Sequence, residues 1–323
     1  MYPMLDFRGE VTSPKLTDNK HDKRATGAIC LFSGGVDAYC TLYEHIDERP
    51  RLLTLWGADV KLEDENGWTT VNGQNIDAAN KFGLKFDAVK SNFRMFINER
   101  RLDTLVATSN DGYWHGFQHG IGLISHSAPI AWTYNIKTVY IASSYTKADK
   151  GNYTCASDPT IDNYLCWAES CTVHDGYEYT RQQKVHIICA ESERIGVHPN
   201  LRVCWIETGG CNCCHCEKCL RTMFELIAEG RNPKNYGFDY TEKDLKQSQK
   251  KVLATYSHIV KPAWREIQSQ MKQLRSESVP DYAKWVLDCD FEDESRKAQR
   301  INAFKSIPIK FVAKIRRLLL VKR

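Results

Sequence analysis

Two short runs in this 323-residue chain combine residue types whose spacing can do chemistry. The first is Phe32-Ser33-Gly34-Gly35-Val36-Asp37, set between a short apolar stretch and a helical pattern. Gly34 and Gly35 let the backbone turn tightly and approach a ligand, and the amides that open the next helix point at it. The Ser33 hydroxyl can donate to a phosphate oxygen, and Asp37 offers a carboxylate suited to Mg2+ in phosphate company. No Walker lysine and no G-x-G-x-x-G pattern accompanies these glycines, which excludes two common nucleotide loops. The competing reading is an ordinary strand-to-helix turn that uses two glycines.

The second run holds Cys204, Cys213, Cys216 and Cys219, spaced C-x8-C-x2-C-x2-C. Close pairs of thiolates reach one tetrahedral ion, and a more distant cysteine closes the shell. Zn2+ is the first expectation for four thiolates, and Cys211 and Cys214 leave other ligand sets and an iron–sulfur cluster open. Four thiolates leave no position for water, so the expected role is structural. Lys218 and Arg221 either offset thiolate charge, touch a phosphate or lie on a solvated helix face.

Between the two runs lies a polar stretch with Asp158-Pro159-Thr160-Ile161-Asp162, Val173-His174-Asp175-Gly176 and Thr180-Arg181-x-x-Lys184. Arg181 and Lys184 suit an anionic acceptor such as a carboxylate, and His174 suits proton relay. Surface or capping roles are the alternative for each. The expected catalytic set is Asp37, His174, Arg181 and Lys184. Gln118 and His119, in Trp114-His115-Gly116-Phe117-Gln118-His119-Gly120, either face a nucleotide or are buried and hydrogen-bonded.

Positioning these groups requires strands that alternate with helices. Ala28–Phe32, Leu52–Trp56, Phe86–Val89 and Thr138–Ala142 are short continuous apolar runs of the buried parallel-strand kind. Helices are expected from Val36, over Trp68–Phe82 ending at Gly83, and over Trp114–Tyr134 despite Pro129. Lys184–Ile188 and Arg202–Trp205 are strand or helix candidates. The alternation predicts a doubly wound, mostly parallel α/β sheet. Ligands sit at the carboxyl ends of such strands, which places Ser33, Gly57-Ala58-Asp59 and Ser143-Ser144 around one site. The residues expected around a phosphate-bearing ligand there are Phe32, Ser33, Gly34, Gly35, Val36, Asp37, Trp56 and Gly57.

Four segments are expected: a leader over 1–26, an α/β domain over 27–200, a cysteine-rich zinc segment over 201–240, and a helical extension over 241–323. The extension reads as helices over Leu245–Ile259, Trp264–Leu274 and Tyr282–Leu287. Six of thirteen cysteines cluster between Cys204 and Cys219, and a long chain with an odd cysteine count fits a disulfide scaffold poorly. No signal-peptide order and no apolar run of transmembrane length are found, so a cytoplasmic protein is expected. From Arg296 to Arg323 there are ten Lys/Arg and no acidic residue, which leaves 34 basic against 40 acidic residues, a net of −6, for the body. The basic residues interleave with Ile301, Phe304, Ile307, Phe311 and Ile315, a pattern for a membrane surface or a partner protein, or for packing on the body.

Phe32–Asp37 resembles the S-G-G-x-D-S pyrophosphate loop of the PP-loop ATP pyrophosphatases, with Ala38 in place of the final hydroxyl residue. The cysteine spacing followed by Leu220-Arg221 is similar to the zinc knuckle of 7-cyano-7-deazaguanine synthase, a PP-loop enzyme. The resemblance covers roughly residues 27 to 238. The stretch from His174 to Lys184 is more similar to the branch holding the ATP-dependent epimerase of the terminal glutamate in UDP-N-acetylmuramoyl-alanyl-glutamate. The resemblance implies a HUP-like PP-loop fold with ATP, Mg2+ and Zn2+ as cofactors, and adenylation of a small-molecule carboxylate or amide with pyrophosphate release. A homodimer is compatible with it. Two alternatives stand: an RNA-modifying PP-loop enzyme, disfavoured by the acidic body, and a degenerate, zinc-stabilised binding protein, suggested by Ala38.

Overall fold

The computed structural model describes residues 10, 12–15, 24–109, 111–151, 155–204, 209–255, 261–294 and 296–297. The chain divides into two compact units, Met1–Cys211 and Asn212–Arg323.

In the first unit, β1 (Gly27–Leu31), β2 (Arg51–Trp56), β3 (Phe86–Lys90), β4 (Ile136–Ala142), β5 (Cys166–Trp167) and β6 (Ser170–Asp175) form one sheet in the order β3-β2-β1-β4-β6-β5. All pairings are parallel except β5 with β6. This is the expected doubly wound, mostly parallel sheet. Its order reverses between β1 and β4, and at such a switch point a crevice opens beyond the carboxyl ends of the strands.

Apolar runs at β1, β2 and β4 bury both strand faces. Ile29, Leu53 and Val139 pack with Ala131 on one side. Helix α1 (Val36–Glu44) lies on the other, where its stripe of Val36, Tyr39, Leu42 and Tyr43 is buried and α7 (Arg181–Ile195) packs against it. Helix α2 (Glu65–Lys81) starts three residues before the expected Trp68, because the Asp64 carboxylate accepts the Gly67 amide at 2.9 Å and caps it. Helix α3 covers Glu99–Leu105.

The helix expected over Trp114–Tyr134 is broken. A π-helical turn at Trp114–Gln118 leads into α4 (His119–Ile124), a 3-10 turn and α5 (Ala128–Tyr134), and Pro129 sits in the first turn of α5, where its missing N–H costs nothing. Helix α6 is the short Pro159–Asp162. Lys184–Ile188 lies within α7, and residues 201–204 have no regular structure. β6 had no sequence counterpart.

The second unit is helical: α8 (Glu217–Ala228), α9 (Glu242–Lys246), α10 (Ser248–Thr255), α11 (Lys261–Met271) and α12 (Trp285–Asp288). Phe224 of α8, Trp264 of α11, Trp285 of α12 and Phe291 pack ring to ring with centroids 5.6 to 6.3 Å apart, and the buried Trp264 indole donates to Glu217 Oε1 at 3.1 Å. No helix among the described residues is long and apolar enough to cross a membrane. The expected amphipathic tail, beyond Arg296 and Lys297, and most of the leader lie outside the described residues.

Candidate active site

The turn from β1 to α1 is tied down by its carbonyls. Phe32 O accepts from Thr54 Oγ1 at 2.5 Å, and the Asn75 amide supports that hydroxyl at 2.9 Å. Ser33 O accepts from Arg202 Nε and Nη2 at 3.2 and 2.9 Å, and Gly34 O accepts the Arg202 amide at 2.7 Å. Gly34 adopts φ +75°, the left-handed conformation that favours glycine, and a Cβ there would stand 3.2 Å from Asn75 Oδ1. Gly35 is the N-cap of α1, and no side chain caps it. With the carbonyls engaged, the amides at the start of α1 are what the turn offers to an anion. The turn thus fits a phosphate chain. Burial pulls the Arg202 guanidinium down from its ordinary value, opposed by the charges of Asp59 and Cys204.

Three of the four expected catalytic residues meet beside this turn. Asp37, in the first turn of α1, places Oδ2 3.1 Å from Arg181 Nη1 and Oδ1 3.2 Å from Lys184 Nζ. Lys184 Nζ also donates to Ser143 O at the end of β4. Arg181 and Lys184 sit in the first turn of α7, opened by a capping box between Thr180 and Gln183. Cations at a helix N-terminus cost about 0.3–1 kcal/mol each against the dipole, so their placement does not serve the helix. Lys184 is 2% exposed, which makes its counter-ion obligatory. Each carboxylate oxygen of Asp37 therefore faces one cation.

His174 does not join them. Adjacent strand residues face opposite sides of a sheet; Asp175 turns toward α1, and His174 turns away to pair its Nδ1 with Asp162 Oδ2 at 2.8 Å, both buried. Trp56 stacks on Trp68 with centroids 5.2 Å apart, Lys90 Nζ lies 4.0 Å from its ring, and its indole donates to Lys61 O. Gly57 has φ +109°, and a Cβ there would fall 1.9 Å from Ser91 O. His119 meets Trp114 edge to face at 5.2 Å.

Two features had no sequence signal. Arg202 acts on backbone carbonyls, which no local pattern announces. Asp175 accepts Thr41 Oγ1 at 2.6 Å and pairs with His45 Nε2 at 3.0 Å, and His45 stacks on Tyr140 at 3.8 Å. Burial pushes the Asp175 carboxyl up, but the bonds to His45 and Thr41 outweigh it and hold it below its ordinary value. Burial pulls His45 down, but its bonds to Asp175 and Glu48 leave it raised.

The four expected metal ligands come together. The sulfurs of Cys204, Cys213, Cys216 and Cys219 lie within 4.8 Å of one another, and Cys213 Sγ to Cys219 Sγ is 3.8 Å. A tetrahedron with bonds near 2.3 Å has edges of about 3.8 Å, so the donors fit Zn2+. The Cys216 and Cys219 amides donate to Cys213 Sγ and Cys216 Sγ at 3.3 and 3.4 Å, contacts that favour thiolates. Cys214 Sγ turns instead to Asn212 O at 3.7 Å, and Cys211 is exposed. Arg221 Nε lies 3.7 Å from Glu217 Oε1.

A cleft of about 390 Å³ lies in the second unit, lined by Arg231, Lys234, Tyr240, Glu242 and Tyr282 among others. No protein-family model matches the sequence, and no curated protein matches it. Among solved structures, the NMN synthetase of Francisella tularensis is similar over 79% of this chain and 87% of its own, at 10% sequence identity and a TM-score of 0.31. A likeness that loose aligns no residue of one site on another.

Proposed function

We propose that the chain is an ATP-dependent enzyme of the PP-loop kind that adenylates a small-molecule carboxylate or amide and releases pyrophosphate. The observation that carries this reading is the meeting of Asp37, Arg181 and Lys184 beside the Gly34 turn, at the switch point of the sheet. The resemblance of Phe32–Asp37 to the pyrophosphate loop supports it.

The α1 amides would hold the β- and γ-phosphates, and the acceptor oxygen would attack the α-phosphorus in line with the departing pyrophosphate. Arg181 and Lys184 would then offset the charge that develops on the leaving group or orient an anionic acceptor, which is electrostatic catalysis by groups already in place. Asp37 holds both cations before ATP arrives, and bound phosphates compete for them. Acceptors of the deazaguanine-synthase or peptidoglycan-precursor epimerase type belong to this proposal, as does a metal accompanying ATP. The bound zinc would be structural.

The test is pyrophosphate release and ATP–pyrophosphate exchange across a panel of carboxylates and amides. Asp37→Asn should reduce turnover by about 100-fold or more, as for loss of an electrostatic anchor, with unchanged circular dichroism. Absence of both ATP binding and pyrophosphate release in the native protein would instead support a binding module, the reading that Ala38 motivates.

A further inference from the structure

The hairpin at one edge of the sheet carries two cysteines that the adenylation reading does not use. β5 runs antiparallel to β6, and the register sets Cys166 opposite Cys171 and Trp167 opposite Ser170, with Ala168-Glu169 as the turn. Residues opposite each other in such a register share one face of the sheet. The Thr172 amide donates to Leu165 O at 3.0 Å, which makes Cys166 and Cys171 the pair without ladder bonds of its own. Pairs of that kind are the closer ones, with Cα atoms about 4.5 Å apart, inside the roughly 4.4–6.8 Å that a disulfide spans. The two sulfurs share a hydrogen bond at 2.6 Å, and both cysteines are exposed.

The residues between them all have structural tasks. Trp167 packs against the core around Ile29 and Val139, and Ser170 Oγ donates to Ile136 O at 2.7 Å. Glu169 accepts the Ala25 amide at 2.9 Å, which ties the turn to the chain just before β1. Ala168 takes the left-handed φ of +48° within the turn. Core packing does not account for the cysteines themselves, because a packing cysteine is a buried one. Metal binding does not either: among the described residues, the three or more ligand side chains that converge are those of the Cys204 cluster. Two facing thiols within reach of solvent are suited to exchange with a disulfide. They lie at the start of β6, whereas Asp175 ends that strand beside α1, so the pair stands apart from the crevice at the carboxyl ends of the strands.

We propose that Cys166 and Cys171 are a reversible dithiol–disulfide couple, closed by small-molecule disulfides of the glutathione kind, that clamps β5 onto β6. The Cys166 thiolate attacks one sulfur of the small disulfide, an S–S bond forms to Cys166, and the other sulfur leaves as a thiolate with the electron pair. The Cys171 thiolate then attacks the Cys166 sulfur and expels the second small thiolate. The two protein thiols lose two electrons and two protons, and the small disulfide is reduced to two thiols. The order follows from the hydrogen bond to Cys166, which together with burial raises the Cys171 thiol above its ordinary value, so Cys171 keeps its proton longer. A small dithiol such as dithiothreitol reverses both steps. β5 is two residues long, so few ladder bonds hold it, and a covalent bond to its neighbour adds most at such a short edge.

The full-length protein is equilibrated with excess glutathione disulfide, its remaining thiols are blocked with N-ethylmaleimide, and its peptides are mapped by mass spectrometry without reduction. Cleavage before Asp158 and after Glu169 puts Cys155, Cys166 and Cys171 on separate peptides. The Cys166 and Cys171 peptides should be joined, lighter by two hydrogens than their sum, and dithiothreitol should part them. In Cys171→Ser the reaction should stop at a glutathione adduct on Cys166. Hydrogen exchange at the Thr172 amide should slow by about tenfold or more in the oxidised protein, as expected for a cross-link that suppresses local opening. Peptides that stay separate and fully blocked, a link from either cysteine to another one, no adduct on Cys166 in Cys171→Ser, or an unchanged Thr172 exchange rate overturns the proposal. None of these measurements uses ATP, so a failure of the adenylation reading would show in pyrophosphate exchange and leave this result standing.

Discussion

Asp175 and His45 each hold a charge that burial alone would suppress, and the balance has a pH signature. The Asp175 carboxyl is depressed, so its contribution to stability is present above the ordinary aspartate range and is lost as pH falls through its folded value. His45 is raised, so its contribution is full below about 6.5 and is lost as pH rises through its folded value. The pair therefore supports the fold most between about pH 4 and 6.5. The difference in melting temperature between the native protein and His45→Gln should be largest near pH 6 and shrink toward about pH 9; a constant difference would refute this account. At this scale the four clustered cysteines were legible because their spacing is local, and Asp37, Arg181 and Lys184 because each sits in a conspicuous short run. Arg202 was not, since its partners are backbone carbonyls 169 positions away.

Helix α7 carries two cations in the turn where its dipole opposes them, so its cap has a second task. Thr180 accepts the Gln183 amide, and Gln183 returns the bond to the Thr180 amide at 2.8 Å. Thr180→Ala should cost about 1 kcal/mol of stability. It should also weaken ATP binding by roughly 3- to 10-fold as the first turn loosens, measured by denaturant melts and calorimetry; an unchanged affinity would show that Asp37 alone holds the cations. Strands β1, β2 and β4 could be read from sequence because burial on both faces demands an unbroken apolar run. β6 could not: its residues Ser170, Thr172 and His174 are buried polar groups, with Ser170 donating to Ile136 O and His174 paired with Asp162, and hydrophobicity does not report them. The break within 114–134 was hidden because Pro129 fits a helical period as well at the start of a helix as inside one.

For the whole molecule, the cysteine cluster predicts a metal requirement. Protein prepared without chelator should carry about one zinc per chain, and its removal should lower the melting temperature markedly, since structural zinc contributes on the order of 10 kcal/mol to small folds. Elemental analysis before and after chelation, followed by thermal melts, decides it; a visible charge-transfer band with iron would replace zinc by a cluster. The overall α/β class followed from the alternation of apolar runs with helical periods.

The ion pair between Asp37 and Lys184 closes a gap of 147 residues. At about 5–20 residues per second, a ribosome needs roughly 7 to 30 s to travel that distance. Over that interval the nascent chain carries the Gly34 turn without the cations that face it, and the Arg202 brace on Ser33 emerges later still. The Asp37–Lys184 arrangement is therefore completed only near the end of the first unit's synthesis, and cannot assist the earlier folding of β1 and the turn that follows it.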